Sequence, residues 1–327
     1  MTKVKFLITG GAGFYAGHIA ERALALGNSV VVIDIINSEN TPIKEKENNI
    51  NILEQTAAIN NSEFKIYRVD IKDKASMLSI FADENPNIVI HAAALANDRA
   101  SMNTAVEFIN TNVIGSQIVI EAAMTIKSIS QFIVISTRSV YGQAPSVSAA
   151  VAENTCLRPI NPYGATKLAM EGLFHSYHFD TKVPVKICRM QSMYGPRLRH
   201  DMMVWRVINS ILTGEKVEKY GTSEVTRDWL YISDAVDAVF GLVKAKFSFD
   251  VFNVGTGFAT STNNLITLCE ETAQKKANIV ESAVVRGDNL FAGIADSTKI
   301  YETCGWRAKT GIRNGLRKTY NYMKSIQ

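Results

Sequence analysis

The chain has 327 residues, of which 46% are hydrophobic and 20% charged, and its formal net charge is +4. This composition excludes a disordered chain, a collagen and a disulfide-stapled miniprotein, and it leaves a globular protein with room for one large domain or two modest ones. The excess charge is too small, and the basic residues too dispersed, to indicate nucleic acid or an anionic membrane as partner, whereas a small anionic ligand suits it.

The first apolar run, residues 4–9, ends in glycines and reads as a buried strand, not a leader. The glycine-rich stretch I-T-G-G-A-G-F-Y-A-G follows at residues 8–17, then helical periodicity over 17–26 and a second strand over 29–34. Residues 37–62, rich in Asn, Glu and Lys, read as a surface excursion: a long loop with room for one helix. Strand-length apolar runs return at 64–69, 88–91, 132–136 and 185–189, separated by helical patterns at 75–81, 105–123 and 163–177. Short continuous apolar strands alternating with helices predict an α/β fold, a Rossmann-type doubly wound parallel sheet covered on both faces. Past residue 190 the rhythm changes to a helix at 203–212, a segment at 220–231, a helix at 233–244 and mixed elements, the expected smaller C-terminal α/β substrate domain. The expected division assigns 1–189 to the first domain, with 229–257 returning to it, and 190–228 with 258–327 to the second.

Cys156, Cys188, Cys269 and Cys304 lie far apart with no C-x-x-C pair. They read as reduced thiols of a cytoplasmic protein, and the scattered histidines give no metal-ligand spacing, so no metal is expected. No window reaches eighteen apolar residues, so no membrane span is expected either.

The glycine stretch takes its meaning from its place between a strand and a helix. Bare amides at a helix N-terminus bind a pyrophosphate, and Asp34 at the end of the next strand is set to accept from ribose hydroxyls. No arginine follows in Ile35-Ile36-Asn37 to receive a 2′-phosphate, so NAD is expected over NADP. The fingerprint runs from Gly10 through Gly13 to Ala16, a packing position where one methyl costs little, and Gly11 reads as incidental.

Tyr163 and Lys167, four residues apart on a predicted helix, project from one face. An ammonium beside a phenol favours the phenolate, as a general base near neutrality requires. Upstream, Ser136-Thr137-Arg138-Ser139-Val140-Tyr141-Gly142 sits at the end of a predicted strand, where open α/β sheets bind ligands.

Together with H-A-A-A at 91–94, N-T-N-V-I-G at 110–115, N-P-Y-G-A-T-K at 161–167, Y-G-P-R at 194–197, R-D-W-L-Y-I-S-D at 227–234 and N-V-G-T-G at 253–257, these segments resemble the extended short-chain dehydrogenase/reductases, the NAD-dependent nucleotide-sugar epimerase and dehydratase group. The resemblance implies Thr137 on the reacting sugar oxygen, Tyr163 as base, Lys167 as its modulator and a ribose ligand, and Asn112 in support. It implies Gly10, Gly13, Phe14, Tyr15, Asp34, Asp70, Ile71 and Ala93 at the cofactor, with Asp70 beside the adenine and a helix cap as its alternative role. His91 is expected to be a packing residue.

Dehydratases of the group carry Asp-Glu after the catalytic Thr, and decarboxylases a Glu at the second place; Arg138 and Ser139 stand here instead. That disfavours both chemistries and leaves an epimerase, which needs only the base, the hydroxyl and NAD. Ser192, Arg99 and the run Arg199-His200-Asp201 resemble enzymes that act on UDP-glucuronate at carbon 4, with Thr137, Ser139, Ser192 and Arg199 expected to hold the sugar carboxylate. UDP-glucose and UDP-N-acetylglucosamine remain alternatives, as do a reductase and a non-catalytic NAD-binding protein. Arg138 also joins the expected UDP-sugar contacts but departs from the usual small residue, as Gln191 departs from an aromatic. Arg227 is expected on the diphosphate, with an ion pair to Asp228 or Asp234 as the rival role, and Arg286 and Asp288 complete the expected set. A homodimer is expected through the helices at 105–123 and 163–177.

Overall fold

The computed structural model describes residues 3–37, 41–146, 149–220, 225–283 and 293–327. The chain opens with β1 (Lys5–Thr9), α1 (Phe14–Ala25) and β2 (Ser29–Ile33), the last buried at every residue, as a strand inside a parallel sheet must be. The polar stretch read as a loop with room for one helix does hold one, α2 (Ile43–Ile59), and its 17 residues leave little of the stretch as loop. It buries Lys46, Asn49, Ile50, Leu53 and Ala57, a helical stripe in which two of five members are polar, so hydropathy alone did not reveal its extent.

The winding continues through β3 (Phe64–Tyr67), α3 (Lys74–Glu84) and β4 (Ile88–His91), then the short α4 (Asp98–Ser101) and α5 (Ala105–Ile109). The single helix expected over 105–123 is interrupted: a π-helical turn at Asn110–Gly115 separates α5 from α6 (Ser116–Met124). Next come β5 (Gln131–Thr137), a 3-10 turn at Arg138–Val140, β6 (Ala150–Val151), α7 (Pro162–Thr181) and β7 (Val185–Met190). The remainder comprises β8 (Ser192–Tyr194), α8 (Met203–Thr213), β9 (Lys216–Tyr220), β10 (Thr226–Tyr231), α9 (Ile232–Lys244) and β11 (Phe249–Val254). It closes with β12 (Ala259–Ser261), α10 (Thr262–Ala273), β13 (Asn278–Ser282), β14 (Ile294–Ala295), α11 (Thr298–Cys304) and α12 (Ile312–Ser325).

Seven strands form one parallel sheet in the order β11-β7-β5-β4-β1-β2-β3. Alternate strand residues feed two layers: Phe6, Ile8, Val30 and Val32 cluster with Ile19 of α1 and Val239 of α9, whereas Leu7, Val31 and Ile33 cluster with Phe81, Val119 and Phe174. Lys186, buried within β7, is tolerated because its ammonium donates to the carbonyls of Leu242 and Ala245 at the end of α9, at 2.9 and 2.7 Å. Beyond the sheet, β10 pairs antiparallel with β12 and parallel with β8, while β9 pairs with β13 and β6 with β14.

Strand order reverses direction between β1 and β4, which opens a crevice at their carboxyl ends. Among the described residues, no helix is long and apolar enough to cross a membrane, and no three His, Cys, Asp or Glu residues group so as to hold a metal ion.

Candidate active site

A cavity of about 780 Å³ occupies that crevice and is lined by Gly10, Asp34, Ala93, Thr137, Tyr163 and Lys167 among others. Arg99, Arg138, Ser139, Ser192, Arg199 and Arg227 line it too. Asn112 does not, and Arg286 and Asp288 lie outside the described residues.

The glycine turn is built for a closely approaching ligand. Gly10 has φ of +74°, and a Cβ there would stand 2.9 Å from the Ala93 backbone. Gly13 is the N-cap of α1 and offers no side chain to its orphan amides, which leaves them for an anion. Gly11 is not incidental: a Cβ would come within 2.6 Å of Val32, so glycine is what lets the turn lie on β2. The Tyr15 hydroxyl donates to the Ala235 carbonyl at 2.9 Å, and burial raises its pKa, so its phenol fastens α1 to α9 while the residue lines the cavity.

Asp34 accepts from the Ala12 amide at 3.1 Å and from the Lys46 ammonium at 2.9 Å, both side chains being buried. The absence of a nearby arginine therefore did not mean the absence of a cation: Lys46 arrives from α2, well along the chain. Its partner atom is Oδ1, so Oδ2 retains only the amide among these contacts. Turn amides, a glycine cradle and a carboxylate at the second strand suit a dinucleotide. Asp70 accepts from the Lys72 amide at 2.9 Å and lines the cavity; the cap of α3 is Asp73, not Asp70.

α7 is launched by Asn161, whose Oδ1 accepts from the Gly164 amide at 2.8 Å, with Pro162 in the first turn. Gly164 permits the helix to abut the turn after β5, since a Cβ would stand 2.5 Å from the Ser139 carbonyl oxygen. This approach brings Tyr163 to the same cavity wall as Thr137, whose Oγ1 accepts from the Ser139 amide at 3.2 Å. Burial pushes the Tyr163 phenol up to about 12, with the Asp98 carboxylate adding to the rise and the Thr137 hydroxyl, Arg199 and Arg138 opposing it. Burial also lowers Lys167 to about 7 against the pull of Glu171, and its Nζ lies 3.3 Å from Met170 Sδ. Two cations that the reading of the Tyr–Lys pair did not include, Arg199 and Arg138, also oppose the rise.

Asn112 is a positioning residue. Its side chain accepts from the Leu95 amide at 2.8 Å and donates to the Leu95 carbonyl and Thr166 hydroxyl, each at 3.0 Å, which ties the π-helical turn to α7. Of the residues it joins, Leu95 lines the cavity, whereas Asn112 and Thr166 do not. His91 extends the same scaffold, lying 2.9 Å from Thr9 Oγ1 and 2.8 Å from Ser116 Oγ. Burial lowers it to about 3, so it is neutral.

Of the polar cleft residues absent from the expected set, three bear on its chemistry. Asp98 accepts from Ser139 Oγ and Asn161 Nδ2, both at 3.0 Å, and its other oxygen stands 3.9 Å from Arg138. The second is Lys46, and the third is Gln191, which is buried and lines the cavity. Arg199, expected as counter-charge to a sugar carboxylate, makes a two-pronged pair with Asp201 at 2.9 and 2.8 Å. For Arg227, the rival carboxylates are engaged elsewhere: Asp228 accepts from the amides of Thr256 and Gly257, at 2.8 and 2.9 Å, and Asp234 from those of Lys309 and Thr310, at 3.0 and 2.7 Å. Arg227 itself donates to the Thr226 carbonyl at 2.8 Å.

A glycine turn at a sheet's switch point, an acid on the neighbouring strand and a phenol, hydroxyl and amine in one cleft define a dinucleotide-dependent enzyme of the Rossmann class. Residues 6–255 match the NAD dependent epimerase/dehydratase family, and the chain belongs to it. It is 28% identical to a UDP-glucuronate 4-epimerase of Thermodesulfobacterium geofontis, over 98% of this chain and 96% of the relative. It is 32% identical to a dTDP-D-glucose 4,6-dehydratase of Dictyostelium discoideum, over 79% of this chain but 59% of that longer relative. A solved UDP-glucuronic acid 4-epimerase from Bacillus cereus, in complex with UDP-glucuronic acid and NAD, superposes with a TM-score of 0.90 at 30% identity, over 99% of this chain and 100% of the other.

Proposed function

We propose that the protein is an NAD-dependent 4-epimerase of a UDP-sugar and that its substrate is UDP-glucuronate. The observation that carries this reading is Thr137, Tyr163 and Lys167 lining one cavity, with Arg138 and Ser139 in the two places where dehydration requires an acid and a base. The likeness to UDP-glucuronate 4-epimerases supports the choice of sugar.

Bound NAD supplies a hydride acceptor and donor for carbon 4, and a positive charge that favours phenolate. Gly10, Gly13 and the first amides of α1 hold its pyrophosphate, and Asp34 its ribose. Tyr163 takes the proton from the carbon-4 hydroxyl and later returns it, while Thr137 holds that oxygen in line. Lys167 in its protonated form favours the phenolate, and Glu171 supports that proton. Between removal and return the 4-keto sugar turns its other face, and no further acid or base is needed. Arg227 serves the diphosphate, and Arg286 and Asp288 belong to the same nucleotide-sugar set. We assign residues 1–189 with 229–257 to cofactor binding and the rest to the sugar nucleotide.

A second reading, dehydration, is favoured by one observation: the Asp98 carboxylate sits against Ser139. Magnetic resonance of the protein incubated separately with UDP-glucuronate, UDP-glucose and UDP-N-acetylglucosamine separates the two. The expected result is the 4-epimer of UDP-glucuronate with no net consumption of reduced nicotinamide. Epimerisation of the uncharged sugars alone would defeat the choice of substrate, and a 4-keto-6-deoxy product would establish dehydration.

A further inference from the structure

Two side chains of the cleft are buried without the partners their chemistry demands. Arg138 is 6% exposed, and its Nη1 has no hydrogen-bond partner. Its Nη2 stands 3.9 Å from Asp98, outside hydrogen-bond range. Gln191, also 6% exposed, has its Oε1 unpartnered. They stand at the carboxyl ends of the adjacent strands β5 and β7 and line the same cavity.

The neighbours explain why Arg138 stays unsatisfied. The Asp98 carboxylate is anchored short of it: Oδ1 accepts from both Ser139 and Asn161 at 3.0 Å, which leaves Oδ2 at 3.9 Å from the guanidinium. Arg199 differs: its guanidinium is already closed on Asp201 by two bonds. Of these two arginines, Arg138 is the one with a buried donor that has no partner. A buried guanidinium with an open donor is costly, and a carboxylate matches its planar fork.

We propose that Arg138 is the specificity-determining residue that receives the carboxylate of a uronic acid and protects it from loss during turnover. The proposal rests on the epimerase reading of the Tyr163 site. In the 4-keto sugar the carboxylate on carbon 5 is β to the ketone. If the bond between carbons 5 and 6 breaks, its electron pair moves into an enolate on the carbon-4 oxygen, carbon dioxide leaves, and a proton must return to carbon 5. An ion pair on the carboxylate stabilises charge that this step removes, so it raises the barrier to decarboxylation while leaving hydride return unaffected. Gln191, with an open acceptor, suits a hydroxyl of the same sugar.

The test compares wild type, Arg138→Met and Arg138→Lys, all loaded with NAD, in equilibrium binding of UDP, UDP-glucose and UDP-glucuronate and in product analysis with UDP-glucuronate. Arg138→Met is expected to weaken UDP-glucuronate binding about 10- to 100-fold while UDP and UDP-glucose bind within about twofold of wild type. A carbon-dioxide-loss product is expected to appear with Arg138→Met, and Arg138→Lys to restore part of the affinity. Equal weakening of all three ligands would overturn the proposal, because it would place the guanidinium on the diphosphate or in the fold. Unchanged binding with no decarboxylated product would overturn it too. Wild type that turns over only uncharged sugars would defeat the epimerase substrate, a result distinct from either of these.

Discussion

Tyr163 stands protonated in the protein without cofactor, because burial and Asp98 together hold its phenol at about 12 against an ordinary value of 10.0. A raised phenol keeps its proton through the whole neutral range, so the base is armed only when cofactor charge enters the cleft. Ultraviolet titration of nucleotide-free wild type minus Tyr163→Phe should therefore show phenolate appearing only as the pH nears 12, and moving to lower pH with NAD bound. A phenol that ionised at its ordinary value without NAD would contradict the account. The same substitution should cut turnover by about 10²- to 10⁴-fold while sugar-nucleotide binding changes little. At this scale Thr137, Tyr163 and Lys167 were legible because their spacing is local, four residues on one helix or the end of one strand. Asp98 and Lys46 were not, since each meets its partner across the fold: Asp98 meets Ser139, and Lys46 meets Asp34.

Among the elements, the turn between β1 and α1 separates two kinds of glycine requirement. Gly10 needs glycine for its backbone, at φ of +74°, and Gly11 for space, with Val32 in the way of any Cβ. Gly11→Ala should displace α1 or β2 and lower stability by about 1–3 kcal/mol, read as a fall in melting temperature. A variant as stable as wild type would show that β2 yields more easily than its complete burial implies. The sheet and its flanking helices were legible from apolar runs, since strands buried on both faces carry no polar interruption. The extent of α2 escaped because its inner face includes Lys46 and Asn49, which meet Asp34 and the Ala12 carbonyl and break the apolar stripe. The π-helical turn escaped because its cause, the Asn112 bonds to Leu95 and Thr166, is long-range.

For the whole molecule, the expected helices leave Val106, Ile109 and Ile114 well exposed, at 66, 46 and 50%, with Phe179 at 71% on α7. We propose that a second copy covers this face, as homodimer formation through α5, the π-helical turn and α7 requires. Light scattering after gel filtration should give twice the chain mass, and Val106→Glu with Ile109→Glu should give the single mass; a wild-type monomer would end the proposal. The sheet itself has a further consequence in time. β11 pairs with β7, yet the chain between them wanders through residues 191–248. At about 5–20 residues per second of synthesis, the β7 edge waits for several seconds with Ile187 and Cys188 unpartnered. The last strand of the sheet is therefore the one whose late arrival a growing chain must survive.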